Sequence, residues 1–152
     1  MGKDLFVRMI VLATSLMLGA CSANMLPFSS GALEGDEVAP VADWTEIASV
    51  EVVQLESRPA DPYSVNLWVL GDGAKLYVFA GGTKANWIEH IEVDPNVRLK
   101  MGEVIYPLRA QRVTDPEEFE VFAEGWKEKY GRRPWNDDVT DTYLMRLLPR
   151  DG

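Results

Sequence analysis

The sequence predicts a mainly β domain of about six antiparallel strands with two inserted helices, closed into a small barrel. Three observations carry that expectation. Short apolar runs with a period near two recur between residues 50 and 148, punctuated by turn residues such as Gly71-Asp72-Gly73 and Gly102-Glu103. Two stretches, Asn86 to Val93 and Thr114 to Tyr130, instead carry the spacing of a helix face. No internal repeat divides the chain, and closing the sheet removes the exposed edges it would otherwise carry.

The elements follow in order. A short helical turn is expected around Asp43-Trp44-Thr45-Glu46-Ile47. Val50 to Leu55 alternates loosely and reads as the first strand, and Val65 to Leu70 as the second. Gly71-Asp72-Gly73 is a hairpin turn into Lys75 to Ala80, and Gly81-Gly82 ends that strand. Asn86 to Val93 puts Trp87, Ile88 and Ile91 on one helix face before Asp94-Pro95-Asn96 stops it. Val97 to Met101 alternates strictly, so one of its faces is wet. Gly102-Glu103 turns the chain into a long strand from Val104 to Val113, in which Pro107 marks an edge or a bulge. Thr114-Asp115-Pro116-Glu117 is a capping box, and the helix it opens aligns Phe119, Phe122, Ala123, Trp126 and Tyr130 before Gly131 ends it. Thr142 to Leu148 is the closing strand.

The first forty residues have a different composition. Lys3 and Arg8 precede an apolar stretch from Met9 to Leu18. That run is shorter than the roughly 20 residues needed to cross a bilayer and has the order of a secretory signal. The sequence Leu18-Gly19-Ala20-Cys21 resembles a bacterial lipobox. The resemblance implies cleavage by signal peptidase II before a diacylated Cys21, with residues 1–20 as the signal peptide. Residues 21–40 then read as a lipidated flexible tether, broken by Ser29-Ser30-Gly31, Gly35 and Pro40 and spanning on the order of 25 Å. Residues 41–152 form the folded domain. The expected place is the cell envelope, on the outer membrane if the cell has one, since Ser22 rather than Asp follows the cysteine.

Composition narrows the function. The formal charge is −9, and removing residues 1–20 takes away two cations and one anion. Nucleic-acid binding is disfavoured, because its affinity comes largely from Lys and Arg neutralising phosphates. Anionic headgroups would repel the domain, so attachment must rest on acyl chains, each buried methylene contributing about 0.8 kcal/mol. Cys21 is the only cysteine, so no disulfide within the chain is available and packing alone must hold the fold. Its five Trp, five Tyr and five Phe supply that packing. His90 is the only histidine. It leaves no Cys/His set for structural zinc and no second candidate base for a Ser-His-Asp triad.

The stretch from Trp87 through His90 and Asp94-Pro95-Asn96-Val97 to Leu99, followed by Gly102, Tyr106, Ala110, Val113 and Thr114-Asp115-Pro116-Glu117, resembles the split-barrel flavin-binding proteins. The nearest branch looks like the deazaflavin-dependent nitroreductase relatives, and the likeness covers roughly Trp44 to Leu148. It implies a split β-barrel, a cofactor such as FMN or F420 or, further off, haem, and a homodimer. By position, Ala80-Gly81-Gly82-Thr83-Lys84 and the helix start at Asn86-Trp87 fall where the family holds a cofactor phosphate. A helix start offers free amide donors and a partial positive charge, and Lys84 adds a full one. Arg58 falls on the family's basic phosphate loop. Here that loop is Ser57-Arg58-Pro59-Ala60-Asp61-Pro62, with one base, one acid and two prolines. His90 stands where the family usually has Asn.

The candidate cofactor contacts are therefore Arg58, Thr83, Lys84, Asn86 and Trp87, with no catalytic acid or base and no metal ligands. Several residues keep two readings. Lys84 is either a phosphate contact or a solvated loop lysine. Arg132-Arg133-Pro134-Trp135 either stacks on a bound ring or complements a helix end beside a core Trp. His90 is a haem ligand, a proton donor or a helix-surface residue. Asp137 to Asp141 lacks the glycine and terminal Glu of a calcium loop and reads as solvated. Two functions follow. One is a lipid-anchored flavin- or deazaflavin-dependent oxidoreductase acting on a quinone-like or nitroaromatic acceptor. The other is a non-enzymatic lipoprotein that binds a small apolar ligand or a protein partner.

Overall fold

A computed structural model describes residues 31–81, 84–136 and 138–150. The proposed signal peptide, Cys21 and Thr83 lie outside these residues. Seven strands and two α-helices follow one another as β1 (Asp36–Glu37), β2 (Val52–Ser57), β3 (Tyr63–Asp72), β4 (Lys75–Ala80), α1 (Asn86–Val93), β5 (Asn96–Met101), β6 (Val104–Arg112), α2 (Pro116–Tyr130) and β7 (Tyr143–Pro149). A 3-10 turn at Ile47–Ser49 precedes β2.

Neighbouring strands run in the order β6-β5-β2-β3-β4-β7, and a further β6–β7 pairing closes the ring. All six pair antiparallel, as the sequence predicts. Leu76 and Val78 of β4 belong to the barrel interior, whereas Tyr77 and Phe79 of the same strand pack under α2 outside it. That period of two explains why Leu76 to Phe79 is buried without a break. Trp87, Ile88 and Ile91 of α1 join the interior cluster, so this helix is a plug with one wet side. Phe119, Phe122, Ala123 and Trp126 of α2 form the second cluster with Tyr77, Phe79 and Leu144.

Local chemistry places the ends. The β3–β4 register pairs Asp72 with Lys75, so the hairpin loop is Gly73-Ala74, one step later than the glycines suggest. Gly71 is a paired strand residue instead, opposite Leu76. A side chain there would meet the Trp44 carbonyl at 2.5 Å, so glycine permits the 3-10 turn to lie against the sheet. The α2 cap is Asp115 rather than Thr114: its carboxylate accepts from the Glu117 amide at 3.0 Å, with Pro116 in the first turn. Gly131 closes that helix with φ +75°. Pro107 lies where β6 exchanges β1 for β7 as its neighbour, a gap in which its missing N–H costs no ladder bond on that side.

The described part of the expected tether is docked on the barrel. β1 runs parallel to β6, pairing Asp36 with Val104 and Glu37 with Ile105, and Leu33 is buried. Its anchor is Glu56 of β2, whose side chain is 3 % exposed. This carboxylate accepts from the Leu33 amide at 2.6 Å and from Arg98 Nη1 at 2.9 and 3.1 Å. Arg98 Nε in turn donates to Glu37 at 2.7 Å. Local polarity suggests coil for Glu34 to Glu37, and this non-local charge pair overrides it. Among the described residues no helix is long and apolar enough to cross a membrane.

Candidate ligand-binding cleft

A cleft of roughly 400 Å³ opens between the β2–β3 loop and α1. Arg58, Pro59, Ala60 and Asp61 form one wall, and Glu89, His90, Val93 and Asp94 the other. Helical spacing creates the second wall. With Trp87, Ile88 and Ile91 committed to the core, Glu89, His90 and Val93 are turned outward. Val93 is 89 % exposed, an apolar side chain left in water at the cleft rim.

The loop wall is held in an uncommon conformation. Arg58 has φ +55°, a left-handed backbone that a non-glycine residue seldom adopts. The bend brings the Asp61 amide to the Arg58 carbonyl at 2.9 Å and Arg58 Nη2 to the Asp61 carboxylate at 3.2 Å. The guanidinium also lies 5.8 Å from the Tyr63 ring centroid. Arg58 Nε is buried and has no hydrogen-bond partner.

His90 sits at the base of the opposite wall. Its Nδ1 is 2.9 Å from Oγ of the fully buried Ser57. The Tyr63 ring meets the imidazole edge-on at 4.9 Å. Burial, with the Arg58 guanidinium beside it, holds the imidazole pKa below its ordinary value, so the ring is neutral at pH 7. This half-buried setting differs from a helix-surface histidine. Ser57 and Tyr63 are site residues that sequence reasoning missed. The signal available was their position on either side of the Arg58-Pro59-Ala60-Asp61-Pro62 loop.

Of the five predicted cofactor contacts, Thr83 lies outside the described residues, and the other four are not gathered in one place. Arg58 is on the cleft. Lys84 is exposed and donates to Glu92 at 2.5 Å, a bond that raises its pKa. Neither Lys84 nor Glu92 lines the cleft, so this pair stands apart from the Arg58 wall. Asn86 is exposed, whereas Trp87 is 2 % exposed and belongs to the core. The α1 start has no side-chain cap, which leaves its first amides suited to an anion. Glu89 in the first turn and Glu92 beside Lys84 oppose one.

Two other candidates resolve differently. Arg133 pairs with Glu120 at 2.9 Å and with Glu124, carboxylates on the body of α2 rather than the carbonyls at its end. Trp135 is 68 % exposed rather than core, its indole lying against Gly81 because the α2 stripe already fills the interior. Asp138 accepts from the Thr140 amide at 2.8 Å as a turn residue, and Asp137 lies outside the described residues. Among the described residues no group of three or more His, Cys, Asp or Glu is placed to hold a metal ion.

No family model and no curated relative matches the chain. Solved structures do. A pyridoxamine 5′-phosphate oxidase-like protein of Listeria innocua aligns with TM-score 0.55 at 18 % identity over 69 % of this chain and 88 % of its own. HutZ, the heme storage protein of Vibrio cholerae, aligns with TM-score 0.51 at 18 % identity over 70 % and 87 %. A FAD-binding protein of Mesorhizobium loti aligns with TM-score 0.50 at 19 % identity over 69 % and 85 %. At these identities the likeness is one of fold, and the fold of this chain is the FMN-binding type of split β-barrel, with one extra strand outside the ring.

Proposed function

We propose that this chain is an envelope lipoprotein, carried by acyl chains on Cys21, whose split barrel binds a flat, uncharged ring compound in the Arg58–His90 cleft. The charge balance carries this reading. Each cation expected to hold a phosphate already faces an acid of its own, Asp61 for Arg58 and Glu92 for Lys84. Asp61, Glu89 and Asp94 further line the cleft, so an anionic group would enter against net negative charge. Pro59, Ala60 and Val93 supply an apolar surface suited to a ring. A flavin- or deazaflavin-dependent oxidoreductase is the second reading. It is favoured by the uncapped start of α1, which presents free amides to a phosphate.

Riboflavin and FMN separate the two, because they share one ring system and differ in the phosphate. Membrane-extracted protein is first examined by absorbance for a retained flavin, deazaflavin or haem. It is then titrated with both flavins by fluorescence. The cleft reading expects affinities within about threefold of each other and no effect of Lys84→Ala. FMN binding more than about tenfold tighter, equivalent to about 1.4 kcal/mol, with the advantage lost in Lys84→Ala, would establish phosphate anchoring and the oxidoreductase instead.

A further inference from the structure

Residues 31–38 meet the barrel close to the cleft. The Gly31 carbonyl accepts from Ser64 Oγ at 3.0 Å, and Ser64 pairs with Glu56 across β2 and β3. The next pair is Ser57 with Tyr63, and these two residues flank the 58–62 loop that forms one cleft wall. Gly31 therefore stands one strand pair from that loop.

The residues before Gly31 have a matching chemistry. From 22 to 33 the chain carries no charged side chain, and Met25-Leu26-Pro27-Phe28 is its most apolar stretch. Phe28 precedes Gly31 by three residues and Met25 by six, so they reach at most about 11 and 22 Å from it. Leu26 precedes a proline, which favours extended backbone, and in extended backbone residues 26 and 28 point to one side. The cleft presents Pro59, Ala60 and Val93 as apolar surface, and Val93 is 89 % exposed. Its acids, Asp61, Glu89 and Asp94, repel an anionic segment but accept from the backbone N–H groups of an uncharged one. The barrel already holds this part of the chain in that way. The Leu33 amide donates to the Glu56 carboxylate at 2.6 Å while the Leu33 side chain is buried.

We propose that Met25-Leu26-Pro27-Phe28 of the same chain occupies the cleft, with Leu26 and Phe28 against Pro59, Ala60 and Val93, as a continuation of the docked 31–38 segment. The tether is then a built-in competitor for the site. Its occupancy needs no ligand; only the competition rests on the ring-binding reading above.

Chymotrypsin, which cuts after Phe28, reads the occupancy, because cleavage tracks the fraction of time the segment is undocked. The detergent-solubilised full chain is digested briefly, and the cut is identified by mass spectrometry. Val93→Asp adds a charge at the cleft without touching the core, and should speed the Phe28 cut at least fivefold. Val121→Asp, at a 53 % exposed position on α2, is the control and should leave the rate unchanged. Circular dichroism confirms that both variants are folded. A Phe28 rate that does not respond to Val93→Asp overturns the proposal and leaves the segment to the lipid surface. Protection that fades on dilution overturns it in favour of a second copy's cleft. Saturating riboflavin should bring the wild-type rate close to that of Val93→Asp. Riboflavin that shifts the NMR amide signals of residues 58–61 and 89–94 but leaves the Phe28 rate unchanged also overturns the occupancy. Riboflavin that shifts no cleft amide, with the Val93→Asp effect intact, refutes ring binding and leaves the occupancy standing.

Discussion

Replacing Lys129 with Met tests whether the last turn of α2 is held by a half-buried cation. Its ammonium donates to three carbonyls, those of Ala48 at 2.7 Å, Val50 at 2.6 Å and Val69 at 2.7 Å. One side chain thus ties α2 to the 3-10 turn and to β3. A charged hydrogen bond contributes about 1.5–3 kcal/mol net, but the three are not additive here. Val50 is exposed, so water replaces its partner, and the Val69 carbonyl keeps the Tyr130 hydroxyl at 2.7 Å. Ala48 is 2 % exposed, and its carbonyl is the one left poorly served. Methionine preserves most of the aliphatic stem and its packing. The expected loss is therefore about 2–4 kcal/mol, close to one charged bond plus part of a desolvated carbonyl. For a domain of this size, that lowers Tm by on the order of 10 °C. Urea unfolding followed by tryptophan fluorescence measures the loss, with an unchanged m-value expected. Lys127→Met is the control, because its 3.3 Å pair with Glu124 is exposed and should contribute at most about 0.5 kcal/mol. A Lys129→Met change no larger than the control would show that the three contacts do not hold the helix.

Four further outcomes are expected. Cys21→Ser should leave uncleaved precursor without acyl mass by intact-protein mass spectrometry, and normal processing would refute lipidation. Trp126→Ala should cost about 3–5 kcal/mol in the same urea assay, because the indole is 2 % exposed under the β3–β4 face; a change near zero would place α2 elsewhere. Arg98→Met leaves the buried Glu56 carboxylate unpaired, so it should cost about 3–5 kcal/mol and expose residues 31–40 to limited proteolysis. An uncut segment would show that β1 is held by its backbone pairing alone. The last outcome concerns pH. The folded pKa of His90 lies below the usual value of about 6.5, so the unfolded chain binds the proton more readily between those two values. Acidification through that window therefore weakens folding. The stability of the wild-type chain relative to His90→Gln should fall as the pH drops through the ordinary histidine value of about 6.5. A relative gain on acidification would mean that the protonated ring is the one Ser57 and its neighbours favour.

Elements governed by local chemistry were readable from the chain. α1 runs from Asn86 to Val93 as its apolar spacing and the following Asp-Pro-Asn predict, and β4 has the predicted bounds. The α2 stripe and its glycine stop also follow from residues within one helix. The unreadable features depend on residues far apart. β1 is two polar residues long and exists through Glu56 and Arg98, one on each of two other strands. The exposure of Trp135 depends on which aromatics fill the space under α2 first, a competition that pattern does not rank. At the cleft, Arg58 was a candidate for its charge, but its left-handed backbone and unpartnered Nε come from a turn closed by Asp61. Ser57 reads in the sequence as part of that loop, whereas it ends β2, and its contact with His90 depends on β2 and α1 coming together.

The docking of residues 31–38 also sets where the proposed anchor would join the barrel. The Gly31 carbonyl accepts from Ser64 Oγ at 3.0 Å, and Ser64 pairs with Glu56 at the end of the β2–β3 ladder. The described chain therefore begins beside the β2–β3 loop that carries Arg58. Nine residues lie between Cys21 and Gly31, a span of at most about 36 Å when taut. With Cys21 acylated as proposed, that span is shorter than one starting at residue 41 and would keep the Arg58 loop within reach of the bilayer. A flat ring compound that dissolves in lipid, of the kind proposed above, would then reach the cleft from a two-dimensional reservoir. Its occupancy would follow the compound's concentration in the membrane more closely than its concentration in the surrounding water.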